Sequence, residues 1–173
     1  MSNVIKKIWN WISGVLVGIV VLLAIALVGV RVVGLNPYVV LSGSMEPTYH
    51  VGSLIYVKAV DYKELEVGDP ITYMVSQDMV VTHRITEVLI DEKEPNTIRY
   101  FTKGDANAVA DGTSVHYKNI IGKPVFSIPY LGYVSNYIQN PPGMYVAISV
   151  AALLIMLVFL PDLFAKEDKK NKT

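Results

Sequence analysis

The sequence predicts a mainly β domain, an antiparallel and partly closed β-structure, flanked by an N-terminal and a C-terminal transmembrane helix. Hydrophobic residues make up 52% of the chain and charged residues 17%, and this charged share is below the roughly 25% that is usual in soluble domains. Two long uncharged segments lie near the two ends of the chain. Between them, short apolar runs with a period of two alternate with turn residues, which is typical of antiparallel strands.

The first uncharged segment covers residues 11–30. As a helix, about 20 residues at about 1.5 Å per residue cross a hydrocarbon layer of roughly 30 Å. Two lysines precede the segment and Ala24-Ile25-Ala26 lies inside it, a pattern that is also typical of a cleavable signal peptide. Because the apolar run continues past these small residues to Val33, an uncleaved membrane anchor is the favoured interpretation.

The second uncharged segment covers residues 144–160, between Pro141-Pro142-Gly143 and Pro161-Asp162, which fit helix boundaries. Lysines precede the first segment and follow the second: Lys6, Lys7, Lys166, Lys169, Lys170 and Lys172. Positively charged residues favour the cytoplasmic side of a membrane. Both termini are therefore expected in the cytoplasm, in a multi-pass protein of the cell membrane.

The predicted organisation has four parts. Residues 1–34 form a cytoplasmic stub with the first transmembrane helix, residues 35–142 an extracytoplasmic β-rich domain, residues 143–161 the second transmembrane helix, and residues 162–173 a charged cytoplasmic tail. The net charge of zero gives no indication of nucleic-acid binding. The absence of cysteine excludes disulfides, thiol catalysis and thiolate metal sites, and no acid and histidine cluster has metal-ligand spacing, so neither metal nor cofactor is expected.

Alternating apolar and polar residues predict five strands in the domain, over residues 53–60, 71–75, 79–90, 97–103 and 120–128. A charged loop is expected over residues 91–96. Pro124 lacks a backbone donor and predicts an edge position or a bulge in the last strand. Three tyrosines follow at helical spacing, at positions 130, 133 and 137, and indicate packing residues or an aromatic edge at the membrane surface.

With no cysteine and no acid and histidine cluster at metal-ligand spacing, a hydroxyl nucleophile and a base are the natural candidates for catalysis. Of the three histidines, His83 lies in an apolar strand and is the favoured base, whereas His50 and His116 lie near polar turns. A strand histidine is more often a packing or surface residue than a catalytic one, so the position alone does not assign the role.

Carboxylates that would orient such a base lie at Asp105 and Asp111, and Asp105 belongs to a Gly-Asp-x-Asn stretch that also fits a plain turn. Two serines, Ser42 and Ser44, lie together in the stretch LSGSMEPT, shortly after the first apolar segment. The residues thus indicate a serine, a histidine and an aspartate without choosing among the serines or the aspartates.

Four motifs in order resemble those of the type I signal peptidases, membrane-bound proteases that remove signal peptides from exported proteins. SGSMEPT at residues 42–48 resembles the serine box, VGDPITY at residues 67–73 the turn-and-strand box, and THRI at residues 82–85 the base box. TKGDAN at residues 102–107, with Asp111, resembles the acidic box. His83 stands where common bacterial members have lysine, which makes the chain similar to the endoplasmic-reticulum type, found also in archaea and some Gram-positive bacteria.

The resemblance implies a Ser-His-Asp peptidase without cofactors. In it, Ser44 is the nucleophile, His83 the base, Asp111 the triad acid and Asp105 a supporting acid, although the order of the two acids stays open. The Ser44 N–H and the Ser42 hydroxyl would form the oxyanion hole, and the alternative for Ser42 is a hydrogen bond within its own turn. The chain departs from the family pattern at Pro70, where an aliphatic residue is usual, and in its second apolar segment.

The implied partners are the signal peptides of preproteins as substrates, the lipid bilayer and components of the secretion machinery. The substrate is expected to bind in an extended form between residues 37–41 and the strand of His83. Two alternatives stay open: a related membrane protease with a restricted set of substrates, and a catalytically inactive membrane-anchored adaptor in a secretion complex. The complete serine, histidine and aspartate set argues against the adaptor.

Overall fold

The computed structural model describes residues 3–90 and 97–170. The charged loop predicted over residues 91–96 and the end of the predicted tail, residues 171–173, lie outside the described residues. The chain divides into two compact units. Residues 30–136 form one unit, and residues 1–29 together with residues 137–173 form the other.

Seven strands form one antiparallel sheet in the order β1-β2-β7-β3-β4-β5-β6. The strands are β1 (Leu35–Val39), β2 (Leu54–Lys58), β3 (Pro70–Ser76), β4 (Met79–Ile90), β5 (Ile98–Lys103), β6 (Val115–His116) and β7 (Ile120–Ile128). The helices are α1 (Asn3–Leu27), α2 (Leu131–Gln139) and α3 (Gly143–Lys170). The mainly β, antiparallel fold expected from the sequence is confirmed.

The sheet is not closed, because in the described part of the chain β1 and β6 remain its edges. The partial closure expected from the sequence is therefore not observed. The five predicted strands are present, and β4 and β7 have the predicted bounds. The other two strands were not predicted: β1 contains Pro37, which weakens a strand pattern, and β6 has only two residues, too few to show a period.

Pro124 lies at a bulge, as one of its two interpretations predicted. Tyr56 of β2 pairs with Phe126, whereas the next residue, Val57, pairs with Pro124, so Val125 is the extra residue. The edge interpretation is wrong, because β7 lies between β2 and β3. A Cβ at Gly122 would lie 2.1 Å from the Lys58 carbonyl oxygen, so only glycine allows β7 to pass this close to the end of β2.

The core of this unit lies against strands β3, β4 and β5. Its buried side chains form one cluster of Leu65, Ile71, Tyr73, Ile85, Tyr100 and Val115. Strand β2 is buried on both faces, since Leu54, Ile55, Tyr56 and Val57 are each at most 2% exposed. Strand β2 is therefore an interior strand on both sides of the sheet, between β1 and β7.

One described helix is long and apolar enough to cross a membrane, over Lys7–Leu27, with a mean hydropathy of 2.4. This segment overlaps the first predicted span, residues 11–30, over residues 11–27. Residues 143–156 of α3 meet the same criterion only when joined with α2 as one bent pair. The second span, predicted over residues 144–160, stays a prediction.

Candidate active site

Ser44 lies in a short 3₁₀ turn, Gly43–Met45, which follows β1. The turn is closed by the Glu46 N–H, which donates to the Gly43 carbonyl over 3.1 Å. Met45 anchors the turn, because its side chain is only 2% exposed. Burial of one side chain in so tight a turn fixes the direction of its neighbour, so the Ser44 hydroxyl is held in a defined position.

His83 lies in the middle of β4, opposite Ile71 of β3, and is 8% exposed. Its Nε2 atom lies 3.1 Å from the Ser44 Oγ atom, and its Nδ1 atom lies 2.6 Å from an Asp111 carboxylate oxygen. An ionised carboxylate only accepts hydrogen bonds, so Nδ1 carries the proton and donates. In the neutral ring Nε2 is then an acceptor that faces the serine hydroxyl.

Asp111 is held by its own backbone and by two further donors. Its N–H donates to the Thr102 carbonyl over 2.8 Å. The Thr102 hydroxyl donates over 2.6 Å, and the Tyr73 hydroxyl over 3.2 Å, to the carboxylate oxygen that accepts from His83. Burial raises the pKa of Asp111, but the bonds from Thr102, His83 and Tyr73 outweigh it and hold that pKa below its usual value.

The Tyr73 hydroxyl stays protonated under ordinary conditions. Burial is the main cause that raises the pKa of Tyr73 to about 12, and its contact with Asp111 adds to the effect. The ring itself is part of the core, at 6% exposure. Tyr73 is therefore a fixed donor that restricts the position of the Asp111 carboxylate.

Asp105 contacts Arg84 rather than His83. The Arg84 guanidinium donates to both Asp105 carboxylate oxygens, over 2.8 and 2.7 Å, and the Thr48 hydroxyl donates to one of them over 2.5 Å. The Arg84 hydrogen bonds are the main cause that holds the pKa of Asp105 below its usual value. Arg84 also donates to the Gly68 carbonyl over 2.7 Å, so the ion pair and its hydrogen bonds join four separate segments of the chain.

We expect Asp105→Asn to destabilise the fold by about 1 to 3 kcal/mol at neutral pH, because the variant loses a charge-assisted pair with Arg84. The folded state holds the pKa of Asp105 below its unfolded value, so this stabilisation is complete above the unfolded pKa. It is lost as the pH falls through the folded pKa. Thermal unfolding in detergent should therefore separate wild type and variant at pH 7 and bring them together at strongly acid pH. A difference in Tm that does not depend on pH would contradict this account.

The segment that carries Asp105 packs directly on the backbone of the serine turn. The Ala106 N–H donates to the Ser44 carbonyl over 2.9 Å. A Cβ on Gly104 would lie 2.5 Å from that same carbonyl oxygen, so residue 104 must be glycine for the two segments to approach this closely. Through these contacts the Arg84–Asp105 pair restrains the position of Ser44.

Ser42 lies beside Ser44, with 3.4 Å between the two Oγ atoms. It is the N-cap residue of the 3₁₀ turn, but its side chain makes no capping hydrogen bond. The Ser42 hydroxyl thus makes no cap, but it does bond with the Ser44 hydroxyl inside the turn, so both interpretations of Ser42 stay open.

Ser42, Ser44 and His83 open into a cleft of about 650 Å³. One wall consists of residues 38–42 with Ser44 and Met45, the other of residues 78–83, and Tyr49 and Ile55 complete the lining. Strand β4 pairs with β3 through residues 79–84 and with β5 through residues 84–90. Within the described residues, the edge of residues 79–83 that faces away from β3 thus has no partner strand, and β1 is a sheet edge.

The other two histidines lie elsewhere. His50 makes a 2.5 Å hydrogen bond with Glu46 in an exposed turn, and the ring of His116 accepts from the Lys118 N–H over 3.2 Å. Neither of these hydrogen bonds involves Ser44, His83 or Asp111. Among the described residues, no group of three or more histidine, cysteine or acidic side chains is arranged to hold a metal ion.

Four side chains that support the site were not assigned a role from the sequence: Tyr73, Arg84, Thr102 and Thr48. Each lies within one of the four motifs, so the motifs already marked these positions as part of the functional region. Their functions depend on which carboxylate each one contacts, and contacts between distant segments cannot be seen in a motif.

Comparison with known proteins gives consistent matches. The family described as signal peptidase, peptidase S26, matches residues 8–124. Signal peptidase I W of Bacillus subtilis is 38% identical over 123 residues, which cover 66% of this chain and 63% of that protein. The signal peptidase complex catalytic subunit SEC11C, of rat and of human, is 30% identical over 128 residues, which cover 69% of this chain and 66% of each relative. The chain thus matches slightly less than two thirds of the length of these relatives.

Proposed function

The chain belongs to the signal peptidase family, peptidase S26, and we propose that it is a membrane-bound serine endopeptidase that cleaves signal peptides from exported preproteins. The observation that carries the proposal is the hydrogen-bonded series Ser44–His83–Asp111, with distances of 3.1 and 2.6 Å, at the wall of an open cleft. A hydroxyl, a base and an acid in this order form the arrangement that activates a serine for attack on a carbonyl.

In the proposed reaction the Ser44 Oγ atom attacks the carbonyl carbon of the cleaved peptide bond while His83 Nε2 takes its proton. The Asp111 carboxylate stabilises the imidazolium that forms and keeps the ring in the required tautomer. When the tetrahedral intermediate collapses, His83 gives the proton to the leaving amine. Water then hydrolyses the acyl-enzyme on Ser44, with His83 again serving as base.

The proposed oxyanion hole consists of the Ser44 N–H and the Ser42 hydroxyl. The 3₁₀ turn uses the Glu46 N–H and the Gly43 carbonyl, so closure of the turn does not require the Ser44 N–H. The Ser42 hydroxyl lies next to the Ser44 hydroxyl and is not used as a cap. Two donors beside the nucleophile would stabilise the negative charge that develops on the carbonyl oxygen.

We expect Ser42→Ala to lower kcat by about 10²-fold to 10³-fold while KM changes little, because the donor acts mainly on the transition state. Steady-state cleavage of a peptide that carries a signal-peptide cleavage site would measure both constants. Ser42→Thr keeps a hydroxyl and serves as the matched variant. An equal loss of activity in the two variants would contradict the donor role, since only the alanine removes the hydroxyl.

The substrate is proposed to bind in an extended form, with its main chain pairing with the free edges of β1 and of residues 79–83. An extended peptide that adds to strand edges gains main-chain hydrogen bonds without regard to side chains, and pockets then select by size. Two shallow pockets for small side chains, one and three residues before the cleaved bond, fit the family resemblance. The apolar lining from Tyr38, Ile55 and Val81 suits such side chains.

The membrane arrangement extends the proposal. The helix over Lys7–Leu27 would anchor the protein, and the segment of residues 144–160 would form a second span. The distribution of lysines then places both termini in the cytoplasm and the domain of residues 35–142 on the outer side. Since two relatives are named catalytic subunits of a signal peptidase complex, partners from the secretion machinery are also proposed.

Cleavage of a preprotein by the purified full-length chain in liposomes tests the function. The expected product is a mature protein whose N-terminus, read by mass spectrometry, follows two small residues placed one and three positions before the cut. A preprotein with bulky residues at those two positions is the matched control substrate and should stay intact. If only a few preproteins were cleaved, the alternative of a protease with restricted substrates would be favoured. A failure to cleave any of a panel would contradict the proposal.

A further inference from the structure

Among the described residues that line the cleft, Asp78 is the one carboxylate. The remainder of the lining consists of apolar, aromatic and hydroxyl side chains together with His83. Asp78 is exposed and immediately precedes β4. A single negative charge on an otherwise uncharged wall interacts electrostatically with the residue of a bound peptide that lies beside it.

The position of Asp78 along the wall is set by the strand. Met79, the first residue of β4, precedes His83 by four residues, and a strand rises about 3.3 Å per residue, so Met79 lies roughly 13 Å from the base along β4 and Asp78 follows in the adjoining turn. Ser44 and His83 are at one end of the cleft, and Asp78 is therefore at the other. An extended peptide beside β4 advances by the same distance per residue as the strand itself.

We infer that Asp78 is a specificity-determining residue that favours a basic side chain, and disfavours an acidic one, five or six residues before the cleaved bond. The inference rests on the proposed function, in which the cleft holds the residues that precede this bond. With the bond at Ser44, the substrate residue beside Asp78 is the fifth or sixth before it. A lysine there meets an opposite charge and a glutamate a like charge.

The expected effect is modest because Asp78 is exposed to solvent. Exposed charge pairs change an equilibrium about two- to fivefold, and that is the expected ratio of kcat/KM between substrates with lysine and with glutamate at this position. Salt shortens the range of such interactions, to about 3 Å at 1 M. The ratio should therefore approach one as the ionic strength rises.

The test uses three preprotein substrates that differ only in having lysine, glutamine or glutamate at both the fifth and the sixth residue before the cleaved bond, with the full-length enzyme in liposomes of neutral lipid. Asp78→Asn should bring the lysine-to-glutamate ratio of kcat/KM close to one, and Asp78→Lys should reverse it. Glu87→Lys is the matched control. It makes the same change of charge on an exposed residue of β4, the strand that Asp78 precedes, but Glu87 pairs with β5 and does not line the cleft, so the wild-type ratio should remain.

A lysine-to-glutamate ratio that is equal in wild type and Asp78→Lys overturns the inference. Continued cleavage of the glutamine substrate in that case leaves the proposed function intact. The inference is also overturned if Glu87→Lys shifts the ratio as much as Asp78→Lys, since the effect would then come from the overall charge of the protein. If the wild type cleaves none of the three substrates, both the inference and the proposed function fail.

Discussion

We expect Ser44→Ala to abolish cleavage, with kcat reduced by about 10⁴-fold or more, while the protein still folds. The Ser44 hydroxyl is the one nucleophilic group that His83 Nε2 contacts, at 3.1 Å, among the bonds described for this ring. Without that oxygen no acyl-enzyme forms. Cleavage of a preprotein in liposomes, followed under single-turnover conditions, measures the loss.

Two comparisons make this result specific. Ser114→Ala removes a hydroxyl that lies 3.5 Å from Arg99 and outside the cleft, and it should keep full activity. The double variant Ser44→Ala with His83→Ala should be no less active than Ser44→Ala alone, because residues that act as one unit are not additive. Cleavage by Ser44→Ala at the wild-type rate, or a further large loss in the double variant, would contradict a serine mechanism.

Local patterns predicted a strand well where β-branched and aromatic residues are frequent. Strand β7 was predicted with its observed bounds because Ile120–Ile128 is rich in such residues. Strand β1 was missed because Leu35–Val39 contains an asparagine and a proline, which weaken any strand pattern. Its position depends on pairing with β2, and pairing between segments is tertiary information that a local pattern does not contain.

The site was predictable only in part for the same reason. His83 and Asp111 are separated by 28 residues, and Ser44 and His83 by 39, so no periodicity in the sequence brings them together. The family resemblance supplied the candidates, including both aspartates. It left open which aspartate faces the base, because Asp105 and Asp111 lie in one short acidic segment.

The structure gives the two carboxylates different surroundings. The Asp105 carboxylate accepts hydrogen bonds from Arg84 and Thr48. The Asp111 carboxylate accepts hydrogen bonds from His83, Thr102 and Tyr73. Which aspartate contacts the base thus depends on Arg84. This residue follows His83 directly in the sequence, but its side chain points toward Asp105. Alternation along a strand explains this difference, since successive side chains of β4 point to opposite faces. A separation of one residue in the sequence therefore places the two contacts on different sides of the strand.

Asp111→Asn is expected to lower kcat by about 10³-fold to 10⁴-fold with little change in KM. The amide has nearly the shape of the carboxylate, and the Thr102 and Tyr73 hydroxyls can donate to its oxygen or accept from its NH₂, so the fold should remain. The negative charge that stabilises the imidazolium is lost, however, and an amide NH₂ turned toward His83 would place the ring proton on Nε2, where it blocks acceptance of the serine proton. Single-turnover cleavage, together with thermal unfolding in detergent, separates the chemical loss from any structural one.

Asp105→Asn is the matched variant, because it makes the same substitution six residues earlier, at a carboxylate that contacts Arg84 instead of the base. The two variants should show opposite patterns: Asp111→Asn loses most of its kcat and less of its Tm, and Asp105→Asn loses more Tm while its folded fraction keeps most of its kcat. If folded Asp105→Asn lost more kcat than Asp111→Asn, the proposed roles of the two acids would have to be exchanged. A crossed pattern of this kind cannot arise from general damage to the site, since such damage would lower kcat in both variants.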